Sequence, residues 1–256
     1  MSRSDVLSGQ RALVTGASGN IGRAIACRLA EAGAEVLVHF HRDSEGATAT
    51  VDEITAAGGT AMGVQADLSS EAQAKALFDG LSNGGAPVTC VVNNAATQPV
   101  TAMQDIDGDE WRQVIAANLD SAFYVTQSAV RYLREAGRGG AIVNVASIEG
   151  SDPASGHSHY ATSKAGLLML TRSCALEYGP AGIRCNAVSP GLIDRDGLVD
   201  SWPEGVLRWQ DRAPLGRLGS GDDVAAAVLF LLSPDAAWIS GTNLVVDGGM
   251  SAVSRW

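Results

Sequence analysis

No apolar run in this sequence reaches the roughly 18 residues that a membrane-crossing helix needs, and no basic-then-apolar leader stands at its start. These absences argue against a spanning helix and a secretory signal, and lead to the expectation of a soluble, cytoplasmic protein. Cysteine is sparse: Cys27, Cys90, Cys174 and Cys185 stand singly among apolar neighbours, without CxxC pairs or the spacing of a disulfide framework or zinc site. They read as reduced core thiols. Basic residues are in deficit, 18 Lys and Arg against 28 Asp and Glu, for a formal net charge of −10. Each phosphate contact calls for a cation, so this balance opposes binding to nucleic acid or an anionic membrane. Low-complexity tracts and fixed-period repeats are missing too, and Gly58-Gly59, Gly84-Gly85 and Gly139-Gly140 read as turns between elements.

What is present suits one sizeable core, so a single domain over residues 1–256 is expected. Short β-branched or apolar runs recur: RALVT (11–15), EVLVHF (35–40), TAMGVQ (60–65), VTCVVN (88–93), AIVNVAS (141–147), IRCNAVS (183–189) and NLVVD (243–247). Between them lie segments of helical periodicity, among them IGRAIACRLAEAG, EGATATVDEITAAG, EAQAKALFDGL and GDDVAAAVLFLLS. Strand alternating with helix at this spacing predicts an α/β fold, a Rossmann-type doubly wound parallel sheet of about seven strands with helices on both faces. Ligands of such sheets lie at the carboxyl ends of the strands, which directs attention to Thr15–Gly22, His39–Asp43, Asp67, Asn93–Ala96, Ser147 and Ser189–Arg195.

Thr15 to Gly22, TGASGNIG, closes the first run and opens an amphipathic segment. Its Gly16, Gly19 and Gly22 let the backbone turn sharply and present N–H groups and a positive helix end to a pyrophosphate. An acid about 20 residues further on would select NAD through the ribose 2′-hydroxyl. The second run instead ends His39-Phe40-His41-Arg42-Asp43, where His41 and Arg42 are donors for a 2′-phosphate. NADP(H) is therefore favoured over NAD(H), the alternative being an ordinary solvated loop. Arg23 could add charge beside the turn, and Asp43 would oppose a phosphate unless turned away. The His39/His41 and His157/His159 pairs lack a carboxylate or Cys at ligand spacing, so no metal is expected.

Tyr160 and Lys164, four residues apart in HYATSKAGLLML, project from one helix face. Ser147 ends the run AIVNVAS at the ligand-binding edge. Asn118 lies within WRQVIAANLDSAFYVTQ, either as a satisfied buried amide or as part of a site.

Taken together, the glycine turn, Asn118, Ser147 and the Tyr160/Lys164 pair, in this order and with Ser147 thirteen residues before Tyr160, resemble the single-domain branch of the short-chain dehydrogenase/reductase family. The resemblance runs from Thr15 to the terminal GTNLVVDGGMS. Single-domain members carry TGxxxGxG; here Asn20 stands at the glycine position and the spacing reads TGxxGxxG, the form found in the extended epimerases and dehydratases. Asn is the non-glycine residue best able to take a left-handed conformation, so Asn20 is expected to keep the loop.

The resemblance implies a nicotinamide cofactor bound by Gly16, Ser18, Gly19, Asn20, Ile21 and Gly22. Phe40 falls where the family's NAD-selecting acid would stand, with His41 and Arg42 following it. Asp67 and Leu68 of ADLSS fall at the adenine, and Asn94 and Ala95 in NNAA, where the family has NNAG. Tyr160 and Lys164 fall at the nicotinamide ribose, and Pro190, Gly191 and Ile193 of SPGLI at the nicotinamide. Asp67 reads alternatively as a turn former, with Ser69 or Ser70 capping the next helix. Arg195 either reaches the pyrophosphate or faces solvent.

The implied chemistry is interconversion of a small carbonyl compound and its secondary alcohol by hydride transfer. Tyr160 is the acid/base, Ser147 holds the substrate oxygen, Lys164 and the oxidised nicotinamide favour phenolate, and Asn118 positions a water. Residues 194–216 fall at the family's variable substrate lid, where Trp202, Leu207 and Trp209 either wall the substrate or pack the lid, with Arg208 or Arg212 meeting a polar end. His157 and residues 149–152 are further pocket candidates.

The acidic balance favours a free sugar, polyol or small ketone over the carrier-bound acyl group of a 3-oxoacyl-carrier-protein reductase, which is the alternative within the class. An epimerase or dehydratase would need a larger C-terminal domain, and a non-catalytic NADP-sensing or scaffold protein would not need Ser147, Tyr160 and Lys164 intact. A homotetramer is expected, through the long helices near 109–136 and 158–179 and the C-terminal strand region.

Overall fold

Alternation within the strands sends successive side chains to opposite faces of one sheet. Ala12 and Val14, Val36 and Val38, Cys90 and Val92 pack on one side with Ile25, Leu29, Ile54 and Val228, while Leu13, Leu37, Val91 and Ile142 pack on the other with Phe78, Val125, Leu133 and Cys174. Burial on both faces is why these strands read as nearly continuous apolar runs.

The computed structural model describes residues 6–81 and 86–253, so the turn expected at Gly84-Gly85 lies outside the described residues. In chain order its elements are β1 (Arg11–Val14), α1 (Asn20–Glu31), β2 (Glu35–Phe40), α2 (Ser44–Ala56), β3 (Thr60–Gln65), α3 (Glu71–Leu81), β4 (Val88–Asn93) and α4 (Gly108–Ile115). Then follow α5 (Ser121–Glu135), β5 (Gly140–Val145), α6 (Ser158–Tyr178), β6 (Ile183–Pro190), α7 (Leu198–Ser201), α8 (Pro203–Arg212), α9 (Gly221–Leu232) and β7 (Asn243–Val246).

All seven strands are parallel, in the order β3-β2-β1-β4-β5-β6-β7. Helices α1, α2 and α9 cover one face and α3, α5 and α6 the other. The chain winds outward from β1 to β3, then crosses back to β4, which opens a crevice at the carboxyl ends of β1 and β4. This is the Rossmann-type architecture read from the sequence.

The long helix expected near 109–136 is not continuous. Regular α-helix stops at Ile115, Ala116–Asp120 form a π-helical turn, and α5 resumes at Ser121. The apolar period carries through both pieces, so the sequence pattern alone does not reveal the widened turn, which holds Asn118 and suits the tendency of π segments to mark functional positions. After β6 the chain is pinned to itself: Ile193 bridges Gly219, Asp194 N–H donates to Gly219 O and Gly219 N–H to Leu192 O. Residues 195–218 thus form an insert with joined ends, containing α7 and α8.

Candidate active site

The glycine turn is built by its neighbours. Thr15 Oγ1 accepts the main-chain N–H of Asn94 and of Ala95, and Asn94 Nδ2 donates to Thr15 O and Gly16 O, each at 3.0 Å or less. From below, Thr50 Oγ1 donates to Ala17 O. A Cβ at Gly16 would meet Ala95 Cα at 2.8 Å, and one at Gly22 would fall on Gly16 O, so both positions exclude a side chain. Gly19 is different: its φ of −171° is extended, and a Cβ there would meet nothing within 4 Å. Asn20 takes φ 47°, the only non-glycine residue in the positive region among the described residues, which is the left-handed conformation expected of it.

Helix α1 begins here without a side-chain cap and without an acid in its first turn. Its leading N–H groups remain available to an anion at the mouth of an open glycine. That is the fit expected of a dinucleotide pyrophosphate, supported by the main chain of Ser18, Gly19 and Ile21. Helix α2, by contrast, is closed by Asp43, whose carboxylate accepts Gly46 N–H at 2.9 Å and so is engaged as a helix cap.

At the neighbouring strand ends, Phe40 is half-buried, Arg42 is exposed, and His41 Nε2 lies 3.9 Å from Asp67 Oδ2. Asp67 also builds its own turn, accepting from Ser69 N–H at 3.0 Å and Ser69 Oγ at 2.6 Å, and the Ser69 hydroxyl holds its carboxyl below the usual range. Ser70 Oγ accepts Gln73 N–H at the head of α3. Leu68 turns its side chain into the core, which leaves only its main chain facing the crevice. Arg23 is paired with Glu53, so it adds no free charge beside the turn.

One residue under this region carries more than its sequence context suggested. His39 is buried; its Nδ1 accepts Gly16 N–H at 3.2 Å and its Nε2 donates to Ala66 O at 3.1 Å. Both bonds need the neutral Nε2–H tautomer, and burial pulls its pKa down to about 4. His39 therefore joins the glycine turn to the end of β3. Its position inside an apolar strand was the available signal, overshadowed by the H-x-H pattern.

The second cluster stands at the end of β5 and the start of α6. Ser147 stands close enough to the Tyr160 hydroxyl to act on its pKa, and Lys164 Nζ lies 5.5 Å from the Tyr160 ring centre while donating to Val145 O at 2.8 Å. All three are buried. Burial pushes the Tyr160 phenol up to about 12, against the Ser147 side chain that lowers it, and brings the Lys164 ammonium down to about 8. Lys164 stays charged at neutral pH and the phenol keeps its proton.

Asn118 is 1% exposed, and its amide is fully engaged: Oδ1 accepts Thr97 N–H at 2.7 Å, while Nδ2 donates to Thr97 O at 2.9 Å and Ser163 Oγ at 3.1 Å. It ties the loop after β4 to α6 through Ser163. His159, read in the sequence only as half of an H-x-H pair, is wholly buried: Nδ1 accepts Tyr160 N–H at 2.8 Å and Nε2 faces Glu110 Oε1 at 3.2 Å, fixing the turn that carries Tyr160.

Beyond β6, Gly191 N–H donates to Val246 O, and a Cβ on Gly191 would strike Trp209 at 2.7 Å. Of the aromatics in the insert, Trp209 thus packs onto the segment holding Pro190, Gly191 and Ile193. Trp202 packs on Gly205 within the insert and faces Arg208 at 5.9 Å, and Leu207 and Arg195 are exposed.

A family model described as enoyl-(acyl carrier protein) reductase matches residues 16–251. The chain is 40% identical over 245 residues to an L-rhamnose 1-dehydrogenase (NAD(P)(+)) of Azotobacter vinelandii, covering 93% of this chain and 95% of that one. It is 38% identical over 243 residues to a 3-oxoacyl-[acyl-carrier-protein] reductase of Staphylococcus aureus, covering 93% and 97%. Its structure is similar to that of a short-chain type dehydrogenase/reductase from Mycobacterium marinum, with TM-score 0.89 and 34% identity over 98% of each chain. The chain belongs to the short-chain dehydrogenase/reductase family and is an oxidoreductase of the alcohol–carbonyl couple.

Proposed function

We propose that the chain is an NADP(H)-dependent enzyme interconverting a small carbonyl compound and its secondary alcohol, with Tyr160 as acid and base. The observation that carries this reading is the buried group formed by Ser147, Tyr160 and Lys164 at the carboxyl end of β5, on the same edge of the sheet as the open start of α1. A bound nicotinamide cofactor supplies or accepts the hydride. In the reducing direction Ser147 holds the substrate oxygen, and Tyr160, protonated because it is buried, gives that oxygen its proton. In the oxidising direction Tyr160 first gives its proton up toward solvent and, as a phenolate favoured by the Lys164 ammonium anchored to Val145 O, takes the hydroxyl proton of the alcohol. With the Asn118 amide spent on Thr97 and Ser163, we assign the water-holding role to its main-chain carbonyl in the widened turn.

For the cofactor, the turn residues Gly16, Ser18, Gly19, Asn20, Ile21 and Gly22 would hold the pyrophosphate and Asp67 with Leu68 the adenine. Asn94, Ala95, Tyr160 and Lys164 would face the nicotinamide ribose, and Pro190, Gly191 and Ile193 the nicotinamide. The NADP preference rests chiefly on Arg42, since His41 already faces Asp67 and Asp43 is occupied as a helix cap. The lid is the insert between Ile193 and Gly219, with Trp209 lying against Gly191.

A homotetramer is supported by exposed apolar side chains on the helices expected to associate, Trp111, Phe123, Met169 and Leu176, and by Val245 on β7; mass in solution tests it. Four free cysteines fit a reducing cytoplasm. The carrier-protein alternative draws on the similarity to the Staphylococcus aureus reductase, and salt-sensitive preference for a carrier-bound acyl thioester over a free one would favour it.

The deciding experiment screens NADPH- and NADH-dependent turnover of ketones, sugars and acyl thioesters, with Tyr160→Phe as control. Removing the acid/base should lower kcat on the order of 10³-fold with cofactor affinity retained, and an undiminished rate would end the proton-transfer assignment. A panel without hydride transfer, despite tight NADPH binding, would favour a sensor.

A further inference from the structure

Beside Ser147 and Tyr160 stands a polar cluster that the proton transfer itself does not require. Glu149, His157 and Gln98 converge there from the turn after β5, the head of α6 and the loop after β4. Glu149 Oε2 lies 2.9 Å from His157 Nδ1, and Glu149 Oε1 accepts from Gln98 Nε2 at 3.1 Å. The cluster is attached to the reaction centre at two points: Glu149 N–H donates to Ser147 Oγ at 3.1 Å, and the His157 ring stands edge-on to Tyr160 with centres 6.0 Å apart. Glu149 is close enough for its charge to act on the Tyr160 phenol.

The burial is intermediate. Glu149 and His157 side chains are 15% and 16% exposed, which removes much of their water while leaving them within reach of a ligand, and Gln98 is exposed. A carboxylate so placed has lost part of its hydration, and among the described residues neither an arginine nor a lysine is one of its hydrogen-bonding or ion-pair partners.

Hydrogen-bond polarity says what the cluster can recognise. His157 Nδ1 lies between Glu149 Oε2 and Gln98 Nε2, so that nitrogen is engaged within the cluster and Nε2 is the ring atom left for a ligand. Gln98 Nε2 donates to Glu149 Oε1 and stands 3.4 Å from His157 Nδ1, which leaves its carbonyl oxygen free, and the carboxylate retains unused lone pairs. The oxygens left over, those of Glu149 and Gln98, are acceptors. They suit a ligand that brings donors, and hydroxyl groups are the uncharged donors able to satisfy several at once. An acyl thioester, which brings mainly carbonyl oxygens and methylenes at this distance from its reacting carbon, would leave these acceptors partly desolvated and unpaired.

We propose that Glu149, His157 and Gln98 form the specificity wall of this active site and that its substrate is a polyhydroxylated small molecule, a sugar or polyol with a hydroxyl on the carbon next to the reacting one. The assignment rests on Ser147 and Tyr160 being the reaction centre. A site built to bond a substrate hydroxyl discriminates strongly against an analogue lacking it, because its own polar groups are then left unpaired.

The test compares kcat/KM for matched pairs, cyclohexane-1,2-diol against cyclohexanol and a free aldose against its 2-deoxy form, in the wild type, Glu149→Gln and Gln98→Leu. The wild type should prefer the hydroxylated member by about 30-fold or more; Glu149→Gln should cut that ratio about 10-fold, and Gln98→Leu, altered at an exposed loop position, about 3-fold. Calorimetric binding of the same diols and aldoses to Tyr160→Phe, with and without Glu149→Gln, gives the ratio without turnover. Turnover with a wild-type ratio near one, or a ratio unchanged in both variants, overturns the wall and leaves the reaction centre standing. Absence of hydride transfer from every member of the panel overturns both.

Discussion

Helices α1 and α9 pack side by side on the same face of the sheet, yet their first turns are built in opposite ways. At α9 the donors are satisfied from within: Ser220 Oγ accepts Asp223 N–H, the Asp223 carboxylate accepts Ser220 N–H, and Arg217 grips that carboxylate through both terminal nitrogens. At α1 the cap position is Gly19, with no side-chain bond and no first-turn acid. The closed start stabilises the fold, whereas the open start leaves donors and positive potential unspent and so makes a place for an anion. An open turn needs bracing from elsewhere, which Thr15, Asn94, Thr50 and His39 provide.

Removing that bracing is the most severe way to break the contrast. His39 has its pKa lowered from 6.5 to about 4 in the fold, so between these values the unfolded chain binds a proton that the folded one does not. Stability from this group is complete above about pH 6.5 and declines as pH falls to 4, by at most roughly 3 kcal/mol. Melting temperature measured across that window should fall steadily in the wild type and flatten in His39→Asn; equal slopes would remove His39 from the account.

The next test gives α1 the cap it lacks. Gly19→Asp places a carboxylate where the pyrophosphate is expected, and the open space around Gly19 accommodates it. Cofactor dissociation constant should rise about 100-fold, equivalent to about 2.7 kcal/mol, while melting temperature holds or climbs slightly. Unaltered cofactor affinity would mean that the open helix start is not the anion site. The smallest effect is the mirror image: Ser220→Ala should cost about 1 kcal/mol, or about 2–4 °C in melting temperature, with cofactor affinity unchanged. Weakened binding in that variant would show that the two helix starts act as one unit.

Much of this was legible in the sequence because it depends on local patterning. All seven apolar runs became strands with ends within a few residues of those read, and Asn20 entered the left-handed region because its short amide side chain tolerates it. The immediate neighbourhood of Ser147, Tyr160 and Lys164 was readable for a similar reason: strand end and helix face place them by spacing. Asn118 was legible as a position but not in its duties, since its partners Thr97 and Ser163 are 21 and 45 residues away. His39 and His159 were missed because a buried histidine and a surface one have the same letter, and the hydrogen bonds that define them come from other elements.

By itself, then, the sequence determined the order and type of the strands and principal helices, the glycine turn and the gathering of Ser147, Tyr160 and Lys164 at one strand end and helix start, because periodicity, turn chemistry and helix spacing act over a few residues. Only the tertiary structure decided which helix start stays open, that Asp43 caps α2, that Arg23 is neutralised by Glu53, that the long helix widens at Asn118, and that Gln98, Glu149 and His157 meet beside Ser147. Those outcomes depend on which strand ends the sheet order brings together, and hydrogen bonding over such separations leaves no periodic trace in the chain.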